Sequence, residues 1–127
     1  MSQRVISTSK APAAIGPYSQ GIAVGGLLFT SMQIGLDPES GEMVGTTAPE
    51  QLRRCLANVL AIVETAGSSV NDIIKTTVYL ADIGEFGIVN EAYTEFFQGN
   101  LPARGVIEVS ALPKGALVAV EAIANVT

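Results

Sequence analysis

The clearest secondary-structure signal in the chain lies in residues 47–67, which read TAPEQLRRCLANVLAIVETAG. Thr47 followed by Glu50 fits a capping box, in which each side chain accepts a hydrogen bond from the backbone of the other residue. Gly67 fits the position just after a helix, where glycine adopts a positive φ without strain. Between these signals the apolar residues recur with the period of a helix, at Leu52, Leu56, Val59, Val63 and Ala66. The stretch therefore predicts an amphipathic helix with one apolar side.

Strands are predicted before and after this helix. Residues 19–24 and 27–32 flank Gly25-Gly26, which can supply the positive φ angles of a two-residue hairpin turn. Residues 37–42 (DPESGE) have the composition of an exposed turn. Residues 73–80 (IIKTTVYL) are rich in β-branched side chains and predict the next strand.

A second helix and two more strands complete the pattern. Asp82 and Glu85 fit another capping box, which predicts a helix that ends near Gly99. That helix would carry on one side Phe86, Val89, Tyr93 and Phe96 or Phe97. Residues 103–109 and 117–125 predict the last two strands. The order favours an α+β fold of residues 1–127 as a single domain, with two helices on one face of a mixed sheet.

The last predicted strand is apolar on both sides. Val118, Val120 and Ala122 alternate with Ala119 and Ile123, whereas a small monomer would expose one of these faces to water. A large exposed apolar surface usually marks association. We expect a homo-oligomer, the alternative being that a loop or the N-terminal segment covers the second face.

Charge and rare residues exclude several classes of function. The net charge is −5 and the seven basic residues are scattered, which argues against a nucleic-acid partner. No stretch is long and apolar enough for a signal peptide or a membrane span, so we expect a cytoplasmic protein without a membrane partner. The absence of histidine and the single cysteine, Cys55, exclude imidazole bases and ordinary zinc sites. We expect no metal.

Three residues are candidates for chemistry. Glu121 interrupts an apolar strand, where a carboxylate is costly unless it has a partner. The guanidinium of Arg104 could bind an organic acid through two hydrogen bonds. Tyr18 lies in a loop rich in glycine and proline, and such loops often carry functional side chains. The alternatives are a solvated or ion-paired Glu121, a surface Arg104 and a packing Tyr18. For Asn90 two interpretations stay open, a site residue and an exposed polar residue of the second helix.

Seven stretches in order resemble the RidA family, also called YjgF. The resemblance covers almost the whole chain, and it is the order and spacing of the stretches that make it specific. They are residues 11–21 (APAAIGPYSQG), 30–34 (TSMQI), 58–64 (NVLAIVE), 75–78 (KTTV), 89–90 (VN), 102–104 (PAR) and 121–124 (EAIA).

The resemblance implies a chorismate-mutase-like fold that assembles as a homotrimer, with the sheets forming a central barrel and the sites lying between subunits. It implies hydrolysis of reactive 2-imino or enamine acids, such as 2-iminobutanoate and 2-iminopropanoate, to 2-oxo acids and ammonia, without a cofactor or metal. Arg104 matches the arginine that binds the substrate carboxylate, and Glu121 matches the glutamate that positions or activates water. Tyr18 matches a tyrosine lining the same cleft.

The resemblance also assigns contacts to the reacting end of the ligand. These come from the backbone around Ser31 and Met32 and at Val106. The chain departs from the family at two places: Met32 stands where glycine is usual, and Gly105-Val106 stand where Ser-Cys is common. The alternative functions are a non-catalytic sensor of 2-oxo acids or other small carboxylic acids, which Met32 favours, and RNA cleavage, which the acidic balance disfavours.

Overall fold

The computed structural model describes residues 2–126, so Met1 and Thr127, the two ends of the predicted domain, lie outside the described residues. Within that range the elements follow the predicted order of strands, helix, strand, helix and strands. The strands are β1 (Arg4–Ile6), β2 (Gly21–Val24), β3 (Leu27–Thr30), β4 (Gln33–Ile34), β5 (Ile73–Leu80), β6 (Ala103–Glu108) and β7 (Val118–Asn125), and the helices are α1 (Ala48–Thr65) and α2 (Phe86–Phe97).

The strands form one mixed sheet. Its order is β1-β2-β3-β7-β5-β6, and the short β4 also pairs with β7. Strands β5 and β6 run parallel, whereas β7 pairs antiparallel with β3, β4 and β5. The last strand of the chain therefore lies inside the sheet, and β6, which carries Arg104, lies at an edge.

The structure confirms the long helix and both of its ends. Glu50 Oε1 accepts hydrogen bonds from the backbone N–H groups of Thr46 and Thr47, each at 3.1 Å. Together with the Thr47 hydroxyl, these donors hold the pKa of Glu50 below its ordinary value. Gly67 has a φ of 96°, as expected for the residue that ends the helix.

The hairpin is also confirmed, with shorter strands than the pattern suggested. Gly25 and Gly26 have φ angles of 60° and 80°, the conformation that a tight turn between β2 and β3 requires. The predicted strands at residues 19–24 and 27–32 shorten to Gly21–Val24 and Leu27–Thr30.

The predicted capping box of the second helix is wrong. The Asp82 carboxylate accepts from the Gly84 N–H at 2.8 Å and opens a 3₁₀ turn at Ile83–Glu85, so that α2 begins only at Phe86. Because this turn takes up the Asp82 side chain, the reciprocal bonds of a box do not form. The helix ends at Phe97, where Gln98 takes the left-handed conformation ahead of Gly99.

The two helices cover one face of the sheet, as predicted. Alternate residues of the central strands, including Val78, Val118 and Val120, are fully buried in the core that α1 and α2 complete. The hydroxyl groups of Thr76 and Tyr93 lie 2.6 Å apart, which joins β5 to α2 inside this core. Burying one such apolar side chain contributes about 2 kcal/mol to folding.

The opposite face, which we call the open face, is covered at one end only. There Ile34 and Leu36 pack on Ala119 in a second small core, so the loop after β4 does cover this part. Farther along, apolar residues remain in solvent: Phe29 is 42% exposed and Ile107 is 49% exposed. No helix within residues 2–126 combines the length and the apolar character needed to cross a membrane.

Candidate active site

A cleft of about 320 Å³ lies between the segment before β2 and the segment around β4. It contains three of the predicted site residues, Tyr18, Ser31 and Met32. The rest of its lining is mostly apolar and comprises Pro12, Ala13, Ile15, Gln33, Ile34, Leu36 and Pro113. A cleft of this kind suits a small molecule with an apolar part and a few polar atoms.

Hydrogen bonds fix the polar groups of this cleft. Ser31 Oγ donates to the carbonyl of Ser19 at 2.5 Å, and the Ser31 N–H donates to the carbonyl of Gln20 at 2.8 Å. The Tyr18 hydroxyl accepts a weak hydrogen bond from the Ile15 N–H at 3.4 Å. Tyr18 itself is exposed to solvent. Tyr18 therefore lines the cleft from a loop, whereas Ser31 is anchored to the end of the segment before β2.

Arg104 lies on the helix side of the sheet, at the edge strand β6. Its Nη1 donates to Asn90 Oδ1 at 2.8 Å, so an oxygen on α2 orients the guanidinium. The guanidinium carbon lies 4.8 Å from the Tyr93 ring centroid and 5.5 Å from that of Phe86. Arginine stacked on aromatic faces keeps its planar fork in place for a carboxylate.

Tyr93 forms the floor under this arginine. Burial raises the pKa of Tyr93, while the Thr76 hydroxyl and the positive charge of Arg104 act in the opposite direction. The phenol therefore stays neutral at physiological pH and serves as a packed support.

Glu121 lies on the open face. It pairs in register with Thr77 on β5, which in turn pairs with Gly105 on β6. Glu121 lines a second cleft of about 360 Å³ together with Phe29, Thr30, Lys75, Thr77, Ala122 and Ile123. Lys75, a basic residue, therefore lines the same cleft as Glu121.

Tyr79 is a polar neighbour of Glu121 that the sequence patterns did not single out. Burial raises the pKa of Tyr79, and the adjacent Glu121 carboxylate raises it further. Only the register of β5 against β7, which pairs Tyr79 with Ala119 two positions from Glu121, brings the two groups to one face. Sequence alone contains no signal for this pairing.

Within one chain the predicted residues form three groups that do not meet. Tyr18, Ser31 and Met32 share the first cleft, Arg104 and Asn90 share the helix side, and Glu121 has its own cleft. Val106 is two residues from Arg104 on β6 and shares its face of the sheet, as the alternation predicted. Arg104 pairs in register with Thr76 and Glu121 with Thr77, so their side chains point to opposite faces.

Residues 2–126 contain no group of three or more histidine, cysteine, aspartate or glutamate side chains arranged to hold a metal ion. The one cysteine, Cys55, is fully buried on α1, and its Sγ contacts the carbonyl of Val118 at 3.6 Å. Burial raises the pKa of this thiol to about 12.

Comparison with known proteins gives matches along nearly the whole chain. The family model described as endoribonuclease L-PSP matches residues 8–126. The mouse 2-iminobutanoate/2-iminopropanoate deaminase is 51% identical over 122 residues, which cover 96% of this chain and 90% of that protein. A RutC family protein of Pyrococcus abyssi is 51% identical and covers 98% of both chains.

Solved structures agree with these relatives. The yjgF gene product of E. coli superposes with a TM-score of 0.92 at 46% identity and covers 96% of this chain and 98% of its own. TdcF of E. coli, solved with bound serine, gives a TM-score of 0.93 at 43% identity over 98% and 99% of the two chains. These matches support the mixed sheet with two helices on one face as the fold.

Proposed function

Because the chain belongs to the RidA (YjgF) family, whose model is described as endoribonuclease L-PSP, we propose that it hydrolyses 2-imino acids to 2-oxo acids and ammonia. The observation that carries this proposal is the near full-length match, at about half identity, to several mammalian proteins named 2-iminobutanoate/2-iminopropanoate deaminase. A small organic acid as substrate also suits the mostly apolar cleft with its few polar groups.

We propose that the active enzyme is a homotrimer with its sites between subunits. Arg104 and Glu121 point to opposite faces of one sheet, so one chain alone cannot apply both to the same small molecule. The open face carries exposed apolar side chains, among them Phe29 and Ile107, as a surface that another copy would cover. The cytoplasmic location and the organisation of residues 1–127 as one domain stay predictions.

The proposed reaction begins when Arg104 binds the carboxylate of the imino acid. Asn90 already orients the guanidinium, so little side-chain freedom is lost on binding. Ser31, Met32 and Val106 would contact the reacting end through the backbone, and Tyr18 would line the cleft beside it. Holding substrate and water in place lowers the entropic part of the barrier.

Glu121 would then accept a proton from water as its oxygen bonds to the carbon of the C=N group. The electron pair of the C=N bond moves to nitrogen, which takes up a proton and gives a tetrahedral carbinolamine. The amine nitrogen then takes up the proton held by Glu121, the C–N bond breaks with its electron pair leaving on ammonia, and loss of the hydroxyl proton to water gives the 2-oxo acid. A positioned proton acceptor typically contributes about 10²–10⁴-fold to such a step.

The direct test couples this protein to a threonine dehydratase and follows 2-oxobutanoate release beside the uncatalysed rate. We expect 2-oxobutanoate to be released faster than in the uncatalysed reaction. Met32→Gly should change the enzymatic rate because Met32 lines the cleft. Met43→Gly is the matched control, since Met43 packs on the second core and is absent from the cleft lining. No rate above buffer, together with a thermal shift on adding 2-oxobutanoate, would favour a sensor of small carboxylic acids instead.

A further inference from the structure

The segment between β1 and β2, residues 7–20, contains no helix or strand and forms one wall of the first cleft. We call this segment the N-terminal strap. Its outer part is poorly covered, since Ile15 is 66% exposed and Tyr18 is 45% exposed. The position of this wall therefore depends on anchors elsewhere in the strap.

The side chain of Gln20 is the main polar anchor. Gln20 is only 4% exposed, and its Oε1 accepts from the Thr8 N–H at 2.6 Å. Its Nε2 faces three carbonyl oxygens, of Thr8 at 3.1 Å, Ala11 at 3.2 Å and Pro12 at 2.8 Å. The two amide hydrogens are thus fully used, and both ends of the amide hold residues 8–12.

The backbone of the same residue holds the opposite side of the cleft. The Gln20 carbonyl accepts from the Ser31 N–H at 2.8 Å, and the preceding carbonyl, of Ser19, accepts from Ser31 Oγ at 2.5 Å. Pro12 and Ser31 both line the cleft. Gln20 therefore connects the two walls directly, although its own side chain is absent from the lining.

We propose that Gln20 is a positioning residue for the imino acid site, an inference that rests on the function proposed above. Its amide fixes the strap at the distance from Ser31 at which Pro12, Ala13 and Tyr18 enclose the substrate. Gln20 touches no substrate, and it acts through the wall that it holds. Loss of the amide moves this wall outward and leaves Arg104 and Glu121 in place, so substrate binding suffers more than the chemical step.

The Gln20 amide is required because anchoring the strap takes a hydrogen-bond donor and an acceptor on one side chain. In Gln20→Glu the acceptor for Thr8 remains, but the donor becomes a carboxylate oxygen that faces three carbonyl oxygens. In Gln20→Met both functions are lost while length and volume are nearly kept. Gln3→Glu is the matched control, because it makes the same chemical change at an exposed glutamine.

The experiment measures amide hydrogen exchange and steady-state kinetics on the same proteins. In the wild-type protein the Thr8 amide should exchange at least about 10²-fold more slowly than the exposed Ile15 amide. In Gln20→Glu and Gln20→Met the Thr8 amide should exchange about 10-fold faster or more, while the amides in α1 keep their protection. KM should rise about 10-fold with a smaller change in kcat, and Gln3→Glu should match the wild type.

Each outcome decides for or against this role. An unprotected Thr8 amide in the wild type overturns it without any variant, as does a strap that stays protected in Gln20→Met. A strap that loosens while KM and kcat keep their wild-type values shows that the wall does not shape the site. If the wild type hydrolyses no imine, the proposed function fails on its own, and the Kd for 2-oxobutanoate takes the place of KM. Unchanged binding in the two variants then contradicts the role of Gln20.

Discussion

The two faces of the sheet come from the same alternating strands and differ in what covers them. On the helix side α1 and α2 bury Val78, Val118 and Val120 completely, and polar groups such as Thr76 and Tyr93 find partners within the chain. On the open face the loop after β4 covers Ala119, whereas Phe29 and Ile107 stay exposed. The chain completes one side by itself and leaves apolar side chains of the other side in solvent.

The candidate catalytic groups divide along the same line. Arg104 belongs to the helix side and is oriented by Asn90, while Glu121 belongs to the open face beside Tyr79 and Lys75. In the proposed mechanism, substrate binding and water activation therefore come from separate surfaces, which the proposed assembly would bring together. Variants that alter one surface at a time test these two roles separately.

The largest effect should come from Glu121→Gln on the open face. The amide keeps the shape of the side chain but cannot accept the proton, so kcat should fall by about 10²–10⁴-fold. Glu64→Gln, an exposed residue of α1, is the control and should keep full activity. Full activity of Glu121→Gln would show that the open face takes no part in the chemistry.

Arg104→Lys should come next, with kcat/KM lower by about 10²-fold, because lysine keeps the charge and loses the planar fork. Steady-state kinetics with enzymatically generated 2-iminobutanoate measure this. The control is Arg53→Lys, at an exposed arginine that lies 3.8 Å from a Glu95 carboxylate oxygen. Full activity of Arg104→Lys would overturn the assignment of Arg104 to the substrate carboxylate.

Ile107→Asp tests the open face as an assembly surface. A carboxylate there would be buried without a partner on association, so the chain should shift toward the monomer and lose activity with it. Ile88→Asp on α2 is closely matched, since Ile88 is 48% exposed and Ile107 is 49% exposed. Sedimentation of both variants measures the mass. Equal masses for the two variants would show that the open face is not the assembly surface.

The smallest effect is expected at Cys55. The reactivity of its thiol reports whether the core on the helix side is closed to solvent. With a pKa of about 12, roughly one thiol in 10⁴ is ionised at pH 8, so the folded protein should not react with iodoacetamide. The unfolded chain has the ordinary value of 9.0 and should react readily. The neutral thiol also stabilises the fold below about pH 9, and this contribution is lost as the pH rises toward 12. Rapid alkylation of the folded protein would contradict a closed helix side.

Local patterns predicted most of the fold, because they act over a few residues. The capping box at Thr47, the glycine turn after Val24 and the β-branched run at residues 73–80 each correspond to an observed element. The box expected at Asp82 failed because the N–H of Gly84, one residue before Glu85, bonds to the Asp82 side chain instead. Strands β1 and β4 were not predicted, since segments of three and two residues carry no usable period.

The candidate site was predicted in its residues and not in its arrangement. Alternation along β6 correctly placed Arg104 and Val106 on one face. The register that sends Glu121 to the other face depends on how β7 pairs with β5, which no local pattern specifies. The anchoring of the strap by Gln20 likewise depends on carbonyl groups 8 to 12 residues away.

In the proposed enzyme, Arg104 and Glu121 act on one substrate from two different chains. Arg104→Ala and Glu121→Ala should each be inactive alone, and the two chains should be unfolded and refolded together in equal amounts. Random mixing in a closed trimer leaves about a quarter of the sites with both side chains intact, so about a quarter of the wild-type activity should return. A mixture that assembles and stays as inactive as its components would contradict the account.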